Sequence, residues 1–205
     1  MRFEKTREEA LKDKALVLAL LARVHNANGG EIGDRLKIQK LCFLLTYELF
    51  GRRIKALNYT FFTYRWGPFT NDLYEAEADF EQAGLLYRHD ARYRLTESGL
   101  ALGNSIYGAI SNLATNAEIC EVIEKVVENF SRWSSEELVK YAHGMSVFPL
   151  GWRQPEILDD LPLHLDLTRV LDDEEATAIL DLEPGWLISF GMELDRARVK
   201  QSLGF

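Results

Sequence analysis

The sequence has few cysteines, two in 205 residues, and no apolar run as long as the roughly 18 residues that a membrane-spanning helix requires. Two isolated cysteines cannot supply a disulfide framework or the paired ligands of a structural zinc site. Residues 1–14 are too charged for a signal peptide. We therefore expect a cytoplasmic protein without a membrane partner, in which Cys42 and Cys120 are buried as small hydrophobic residues.

The sequence also lacks the short motifs of common active sites. It contains no glycine-rich phosphate loop, no Gly-x-Ser-x-Gly elbow and no His-Glu-x-x-His zinc motif. The four histidines are widely separated, and the spacing of His164 and Asp166 is too common to indicate a metal site. We therefore predict no catalytic residue, metal or cofactor, and a protein that is not an enzyme. The weaker alternative is an enzyme whose site assembles from dispersed residues.

Charge is distributed unevenly along the chain, whose net charge is −8 from 24 basic and 32 acidic residues. Residues 35–65 contain seven basic residues and one acidic residue, whereas residues 156–195 contain 12 acidic residues and one basic residue. The net negative charge disfavours indiscriminate binding of nucleic acids, but the basic stretch keeps a local contact open. The acidic segment could also dock on the basic stretch and cover it.

Hydrophobic periodicity and capping residues predict a mainly helical chain. Capping boxes begin two helices, at Thr6 and at Ser134. Helices are predicted over residues 6–25, 34–51, 70–83, 117–130 and 134–145, from residue 96 onward, and over two short segments at 172–182 and 192–203. The aromatic and β-branched residues 59–64 predict a strand, and residues 85–95 predict a β-hairpin.

The order of these elements over residues 5–95 is close to that of a winged-helix domain. We therefore expect a mainly α fold with a small β element: a winged-helix-like helical domain with a β-hairpin over residues 1–150. Residues 151–205 are expected to form an acidic C-terminal extension with additional helices, packed on that domain. Prolines recur after residue 145, but the tryptophans and leucines of this region argue against a disordered tail.

A winged-helix fold raises the alternative of a DNA-binding transcriptional regulator. In such folds the helix before the hairpin enters the major groove. Here that helix, residues 70–83, carries five carboxylates and no basic residue, which phosphates would repel. Possible DNA contacts are therefore Arg52 and Arg53 in the basic stretch and Arg92 in the hairpin.

Two neighbouring motifs combine polar and aromatic side chains. Lys37, Gln39 and Lys40 lie on an otherwise apolar predicted helix, where the lysines could simply extend along a surface edge. Residues 64–68 follow the predicted strand, and Pro68 restricts Gly67 and predicts a rigid turn. The side chains of residues 64–66 could belong to the core or form an aromatic and cationic contact surface.

The motifs occur in a recognisable order. Residues 37–41 (KIQKL), 64–69 (YRWGPF), 72–74 (DLY) and 84–86 (GLL) resemble the KLQKL…YGP…LY…GL pattern of Panacea domains. Residues 137–143 are similar to a later segment of that pattern, so the resemblance covers roughly residues 30–155. Panacea domains include SocA-like antitoxins, and the sequence is nearer to the related group of uncharacterised YwgA-like proteins.

The resemblance implies a non-enzymatic, mainly helical prokaryotic domain that binds a protein partner. That partner would be a cognate toxin, which the domain neutralises or delivers to a protease. The resemblance adds no catalytic residues, and the residues expected to contact the partner are Lys37, Gln39, Lys40, Tyr64, Arg65, Trp66 and Pro68. The leading functional prediction is therefore an antitoxin-like protein-interaction module.

Overall fold

A computed structural model describes residues 5–202, and this part of the chain is mainly helical, as the sequence predicts. It contains seven α-helices and three small sheets of two or three strands. The α-helices are α1 (Arg7–Ala27), α2 (Arg35–Gly51), α3 (Asp72–Gln82), α4 (Glu97–Ser111), α5 (Ala117–Phe130), α6 (Ser135–His143) and α7 (Pro184–Ser202). The strands are β1 (Gly33–Asp34), β2 (Ile54–Lys55), β3 (Leu86–His89), β4 (Arg92–Leu95), β5 (Ser146–Val147), β6 (Glu156–Ile157) and β7 (Ala178–Ile179). No described helix is long and apolar enough to cross a membrane.

Helices α1 and α2 lie at the centre of the core because apolar residues make up all of residues 15–22 of α1 and most of α2. Every residue of α1 from Leu16 to Leu21 is at most 1% exposed. A helix that is apolar on all sides must be enclosed by other elements. Accordingly, α4, α5 and α7 pack on α1, whereas α5 and α6 pack on α2. Cys42 is buried within α2, as expected, and Cys120 is half-buried on α5.

Two helices begin at the predicted capping boxes. At the start of α1, the Glu9 backbone N–H donates to Thr6 Oγ1 at 3.1 Å, and the Glu9 side chain accepts from the Thr6 backbone in return. Ser134 and Glu137 make the same exchange at the start of α6. Each box satisfies amide groups that have no partner within the helix.

The predicted hairpin is present and belongs to a three-stranded antiparallel sheet with the order β1-β4-β3. Because His89 pairs with Arg92, only Asp90 and Ala91 form the connecting turn. Their φ angles are +48° and +64°, the left-handed values that a type I′ turn requires at both positions. Alanine is unfavourable in this conformation, since its Cβ crowds the backbone.

Replacing Ala91 by glycine is therefore expected to raise the free energy of unfolding by about 0.5–1 kcal/mol, which urea denaturation would measure. Glycine removes the steric cost of the left-handed conformation. It also increases the conformational entropy of the unfolded chain, which offsets part of the gain in stability. The control is Ala101→Gly on the exposed side of α4, where the same change is expected to destabilise by about 1 kcal/mol. A loss of stability in both variants would contradict the assigned turn.

The strand predicted over residues 59–64 is wrong, although that segment is extended. It contains one bridge position, Phe62, which pairs with Phe69 on one side and Asp166 on the other. The Phe61 backbone N–H donates to the side-chain oxygen of Thr168 at 2.9 Å, and that hydroxyl donates to the Tyr59 carbonyl at 2.9 Å. A side chain thus replaces the backbone partners that would lengthen the ladder.

The helix predicted over residues 172–182 is also wrong. The backbone of this segment instead pairs with the segment that follows α2, because β7 lies parallel to β2. The N–H groups of Thr177 and Leu180 donate at 2.8 Å to the carbonyls of Arg53 and Lys55. The last predicted helix begins earlier than expected, at Pro184, a residue favoured in the first helical turn. Its predicted end at residue 203 lies outside the described residues.

The acidic C-terminal region contacts the basic stretch and shares the core of the rest of the chain. Lys55 Nζ lies 2.7 Å from Asp173 Oδ1 where β2 and β7 pair. Apolar residues from this region belong to the same buried cluster as α1 and α2, among them Leu167, Leu180 and Phe190. Residues 156–195 therefore complete the core rather than form a separate one.

Candidate protein-binding surface

Helix α3, which would be the recognition helix of a winged-helix protein, uses its carboxylates inside the structure. Glu77 Oε2 accepts from Arg35 Nε at 2.6 Å and from the Tyr93 hydroxyl at 3.0 Å. Asp79 lies 2.8 Å from Lys14 Nζ. Burial raises the pKa of Glu77. The acidity of α3 therefore reflects ion pairs with α1 and α2 as well as charge exposed to solvent.

Two polar residues of α2, Gln39 and Lys40, form hydrogen bonds with the backbone of residues 68 and 70, next to the turn at residues 64–68. The Gln39 side-chain amide donates to the Thr70 carbonyl at 2.8 Å, and its oxygen accepts from the Thr70 N–H at 3.1 Å. Lys40 Nζ donates to the Pro68 carbonyl at 2.7 Å. Gln39 and Lys40 are 2% and 1% exposed, and Pro68 is buried as well. The expected direct contact of Gln39, Lys40 and Pro68 with a partner is therefore not what the structure shows. Gln39 and Lys40 are buried and hydrogen-bonded to the backbone of residues 68 and 70, and Pro68 is buried with them.

Lys37 is also buried rather than extended along a surface edge. Its Nζ donates to the Ser131 carbonyl at 2.6 Å, at the C-terminal end of α5. Burial lowers the pKa of Lys37. Both lysines of the motif therefore tie α2 to other segments of the chain.

Residues 64–68 form the turn that Lys40 supports. The Gly67 N–H donates to the Tyr64 carbonyl at 2.9 Å, and the Gly67 φ is +82°. A Cβ at Gly67 would lie 3.4 Å from Lys40 Cε, so both the backbone conformation and the close approach favour glycine. The two sequence motifs thus meet in space, one beneath the other.

An aromatic face lies beside this turn, and we define it as the side chains of Phe62, Tyr64, Phe69, Tyr74 and His164. The ring centroids of Tyr64 and Phe69 are 5.3 Å apart, and those of Phe69 and Tyr74 are 5.9 Å apart. His164 reaches Tyr64 at 5.6 Å from the other side. The exposed fractions of Tyr64 and Tyr74 are 42% and 41%. The face is continuous, and much of it is open to solvent.

The adjoining Arg65 and Trp66 extend this surface. Trp66 is 56% exposed, and the Arg65 guanidinium lies 5.5 Å from its ring centroid. Sequence reasoning selected Tyr64, Arg65 and Trp66, and the structure places them together at the surface. Phe62, Phe69, Tyr74 and His164 were not among the residues predicted from the sequence. His164 in particular gives no local signal, because it joins the face only where residues 163–167 cross the extended segment 61–63.

The three arginines selected as DNA contacts do not share a surface. Arg52 directly follows the last residue of α2, and Arg92 lies beside the N-terminus of that helix, so its 17 residues separate the two arginines by about 25 Å. Arg52 is bonded to Glu121, which raises the pKa of Arg52, and Arg92 is paired with Glu31. Arg53 is exposed with a φ of +59°. Glutamates thus balance two of the three charges.

A cleft of about 780 Å³ lies where the N-termini of α2 and α6 meet. Ser135 Oγ donates to Asp34 Oδ1 at 2.6 Å, and the same oxygen accepts from the Lys37 N–H at 2.9 Å. Asp34 therefore already supplies the negative charge that helix N-termini attract. The charged lining side chains are Lys37, Arg92 and Arg132, opposed by Glu31, Asp34, Glu136 and Glu137. This balance favours no class of ligand.

Within residues 5–202, no group of three or more His, Cys, Asp or Glu side chains is arranged to hold a metal ion.

Comparisons with known proteins do not identify the site. No protein-family model, curated protein or solved structure matches the chain. The function is therefore argued from the geometry of the aromatic face and its support.

Proposed function

We propose that the chain is a non-enzymatic protein-interaction module that binds a partner protein through the aromatic face and the adjoining Arg65 and Trp66. The observation that carries this proposal is the exposure of Tyr64, Trp66 and Tyr74 around a turn held by buried polar groups. Exposed aromatic patches are typical of interaction sites, and aromatic residues and arginine dominate the binding energy of interfaces. A turn that is already ordered also loses little conformational entropy on binding.

The more specific proposal is an antitoxin-like function in the cytoplasm. It is supported by the order of the motifs at residues 37–41 and 64–69, which resembles that of Panacea domains. In this proposal the partner is a toxin, and binding to the aromatic face covers the surface by which the toxin acts. Lys37, Gln39, Lys40 and Pro68 then contribute indirectly, because they position Tyr64, Arg65 and Trp66.

The double variant Tyr64→Ala/Trp66→Ala is expected to bind the partner at least about tenfold more weakly, equivalent to about 1.4 kcal/mol. The partner would first be isolated with the tagged wild-type protein from its native host, and its affinity then measured by calorimetry. Loss of the two rings removes contact area but leaves the core intact.

The matched control is Tyr87→Ala, which removes a tyrosine that is 44% exposed on the hairpin and is not part of the aromatic face. Its affinity for the partner is expected to equal that of the wild type. Equal weakening in both variants, or a wild-type protein that is always recovered as a monomer without a specific partner, would refute the proposal.

The second candidate is a winged-helix DNA-binding regulator. The order α1-β1-α2-β2-α3-β3-β4, in which β2 pairs outside the sheet, and the sheet order β1-β4-β3 favour this architecture. Arg88, Arg92 and Arg94 are exposed on the hairpin. This candidate predicts salt-dependent binding of duplex DNA that weakens on Arg92→Ala, Arg52→Ala or Arg53→Ala. The absence of a mobility shift at low salt would exclude it and leave the protein-binding proposal in place.

A further inference from the structure

Lys40 is a buried amine without an ion-pair partner among residues 5–202. It is 1% exposed, and its Nζ donates to one group, the Pro68 carbonyl, at 2.7 Å. Burial lowers the pKa of Lys40 from 10.5 to about 7. Lys14 makes the contrast, since it is also buried but lies 2.8 Å from the buried carboxylate of Asp79. A buried charge is costly when no opposite charge or hydrogen-bond network compensates it.

Burial is the cause of the lowered pKa of Lys40, and no charged side chain on the elements packed around it contributes to the shift. On α2, Lys37 lies one turn away and is bonded to the Ser131 carbonyl. The turn itself carries Tyr64 and Arg65. Helix α6 approaches the turn at Gly67 through Ala142, and its charged side chains are Glu136, Glu137, Lys140 and His143. Of these, Glu137 is bonded back to the start of its own helix, and His143 Nδ1 lies 2.6 Å from Asp159.

We propose that the turn at residues 64–68 is a proton-linked latch, which is closed while the Lys40 amine is neutral and takes up one proton on that amine when it opens. In this step the bond from Lys40 Nζ to the Pro68 carbonyl breaks, and a proton from solvent converts the amine to an ammonium group that water can solvate. The consequence for partner binding rests on the proposed function of the aromatic face.

Opening the latch dismantles the support of the aromatic face. The bonds between Gln39 and Thr70 and the backbone pair between Phe62 and Phe69 all lie next to the turn. Their loss separates Phe69 from Phe62, two rings whose centroids are 5.6 Å apart in the closed turn. A partner that binds the aromatic face of the closed turn therefore opposes protonation of Lys40. Partner binding and proton uptake are reciprocally linked.

The direction of the pH dependence follows from the lowered pKa of Lys40. Between about pH 7 and 10.5 the closed turn binds fewer protons than the open turn, whose lysine is solvated and has its ordinary pKa. Each unit of rising pH in this window favours the closed turn about tenfold. Below about pH 7 the Lys40 amine is protonated in the closed turn as well, so opening no longer takes up a proton and the balance between the two forms no longer changes with pH.

Amide hydrogen exchange measured by NMR between pH 7 and 9 tests the latch in the full-length protein without a partner. The informative amides are those of Phe69 and Thr70, which donate to the Phe62 carbonyl and to Gln39 Oε1. Exchange through local opening ordinarily accelerates about tenfold per pH unit. Here the opening equilibrium is expected to fall tenfold per unit, so the observed rates stay nearly constant. The Thr96 amide, bonded to the Leu85 carbonyl, is the internal control and should show the ordinary acceleration.

The variant Lys40→Met is expected to restore the tenfold acceleration at Phe69 and Thr70. The control His143→Asn removes an imidazole of α6 that is paired with Asp159 and lies outside the aromatic face, and it should leave the rates constant. Should Lys40→Met fail to fold, the NMR titration of the Lys40 ε-carbon in the wild type still decides, with an expected midpoint near 7.

A Lys40 midpoint near 10.5, or ordinary acceleration at Phe69 and Thr70 in the wild type, would overturn the latch. Constant rates at Thr96 as well would also overturn it, because proton uptake would then accompany unfolding of the whole protein. None of these results bears on whether the aromatic face binds a partner.

Discussion

Gly99→Ala is expected to lower the free energy of unfolding by about 3 kcal/mol, at the upper end of the usual cost of overpacking. A Cβ at this position would lie 1.9 Å from the Leu85 carbonyl oxygen and 2.8 Å from its carbon. The obstruction is backbone rather than a flexible side chain. The Leu85 carbonyl also accepts from the Thr96 N–H at 3.0 Å, so it cannot retreat without losing a bond that anchors the start of α4.

Helix α4 supplies the matched control at Gly108, where an added Cβ meets no atom of the described residues within 4 Å. Gly108→Ala is expected to stabilise the protein by about 1 kcal/mol, because alanine is the better helix former. Urea denaturation of both variants checks the pair. Effects of the same sign would show that helix propensity, rather than the approach to Leu85, governs substitution at Gly99.

Asp79→Ala is expected to cost about 3 kcal/mol, the usual consequence of removing one partner of a buried ion pair. Lys14 Nζ lies 2.8 Å from Asp79 and 2.8 Å from Glu75, but the Asp79 side chain is 4% exposed and that of Glu75 is 68% exposed. Removal of Asp79 leaves Lys14 with the solvated partner alone. Equilibrium unfolding in urea measures the effect.

The double variant Lys14→Met/Asp79→Leu serves as the rescue, because apolar residues of similar volume often replace a buried ion pair without loss of stability. Arg7→Ala is the surface control: its pair with Asp195 is 77% and 50% exposed, and the expected change is below about 1 kcal/mol. A loss in Arg7→Ala as large as that in Asp79→Ala would remove burial as the explanation.

Burial of ionisable groups also separates what the sequence can reveal from what it cannot. Lys37 and Lys40 lie one turn apart on an apolar helix, a pattern that also fits two lysines at a surface edge. Their hydrogen-bond acceptors, the carbonyls of Ser131 and Pro68, are 94 and 28 residues away. The acidity of α3 is equally ambiguous until Lys14 and Arg35 are placed against Asp79 and Glu77.

The sequence by itself determined the elements whose stabilising contacts are local. The capping boxes at Thr6 and Ser134, the helix predicted over residues 117–130 and the hairpin at residues 86–95 depend on residues a few positions apart. For that reason the mainly helical class was predictable. For Tyr64 and Trp66 the sequence left two alternatives, the core or an exposed contact surface, and the structure shows the second.

Only the tertiary structure decided how distant segments compete for the same backbone groups. Residues 172–182 have a helical pattern, but pairing of β7 with β2 takes their N–H groups. Residues 59–64 have a strand pattern, but the Thr168 hydroxyl ends the ladder from more than 100 positions away. The aromatic face arises from the same crossing, which brings His164 to Tyr64. Local propensity is weak beside such contacts, so their outcome depends on the folded chain as a whole.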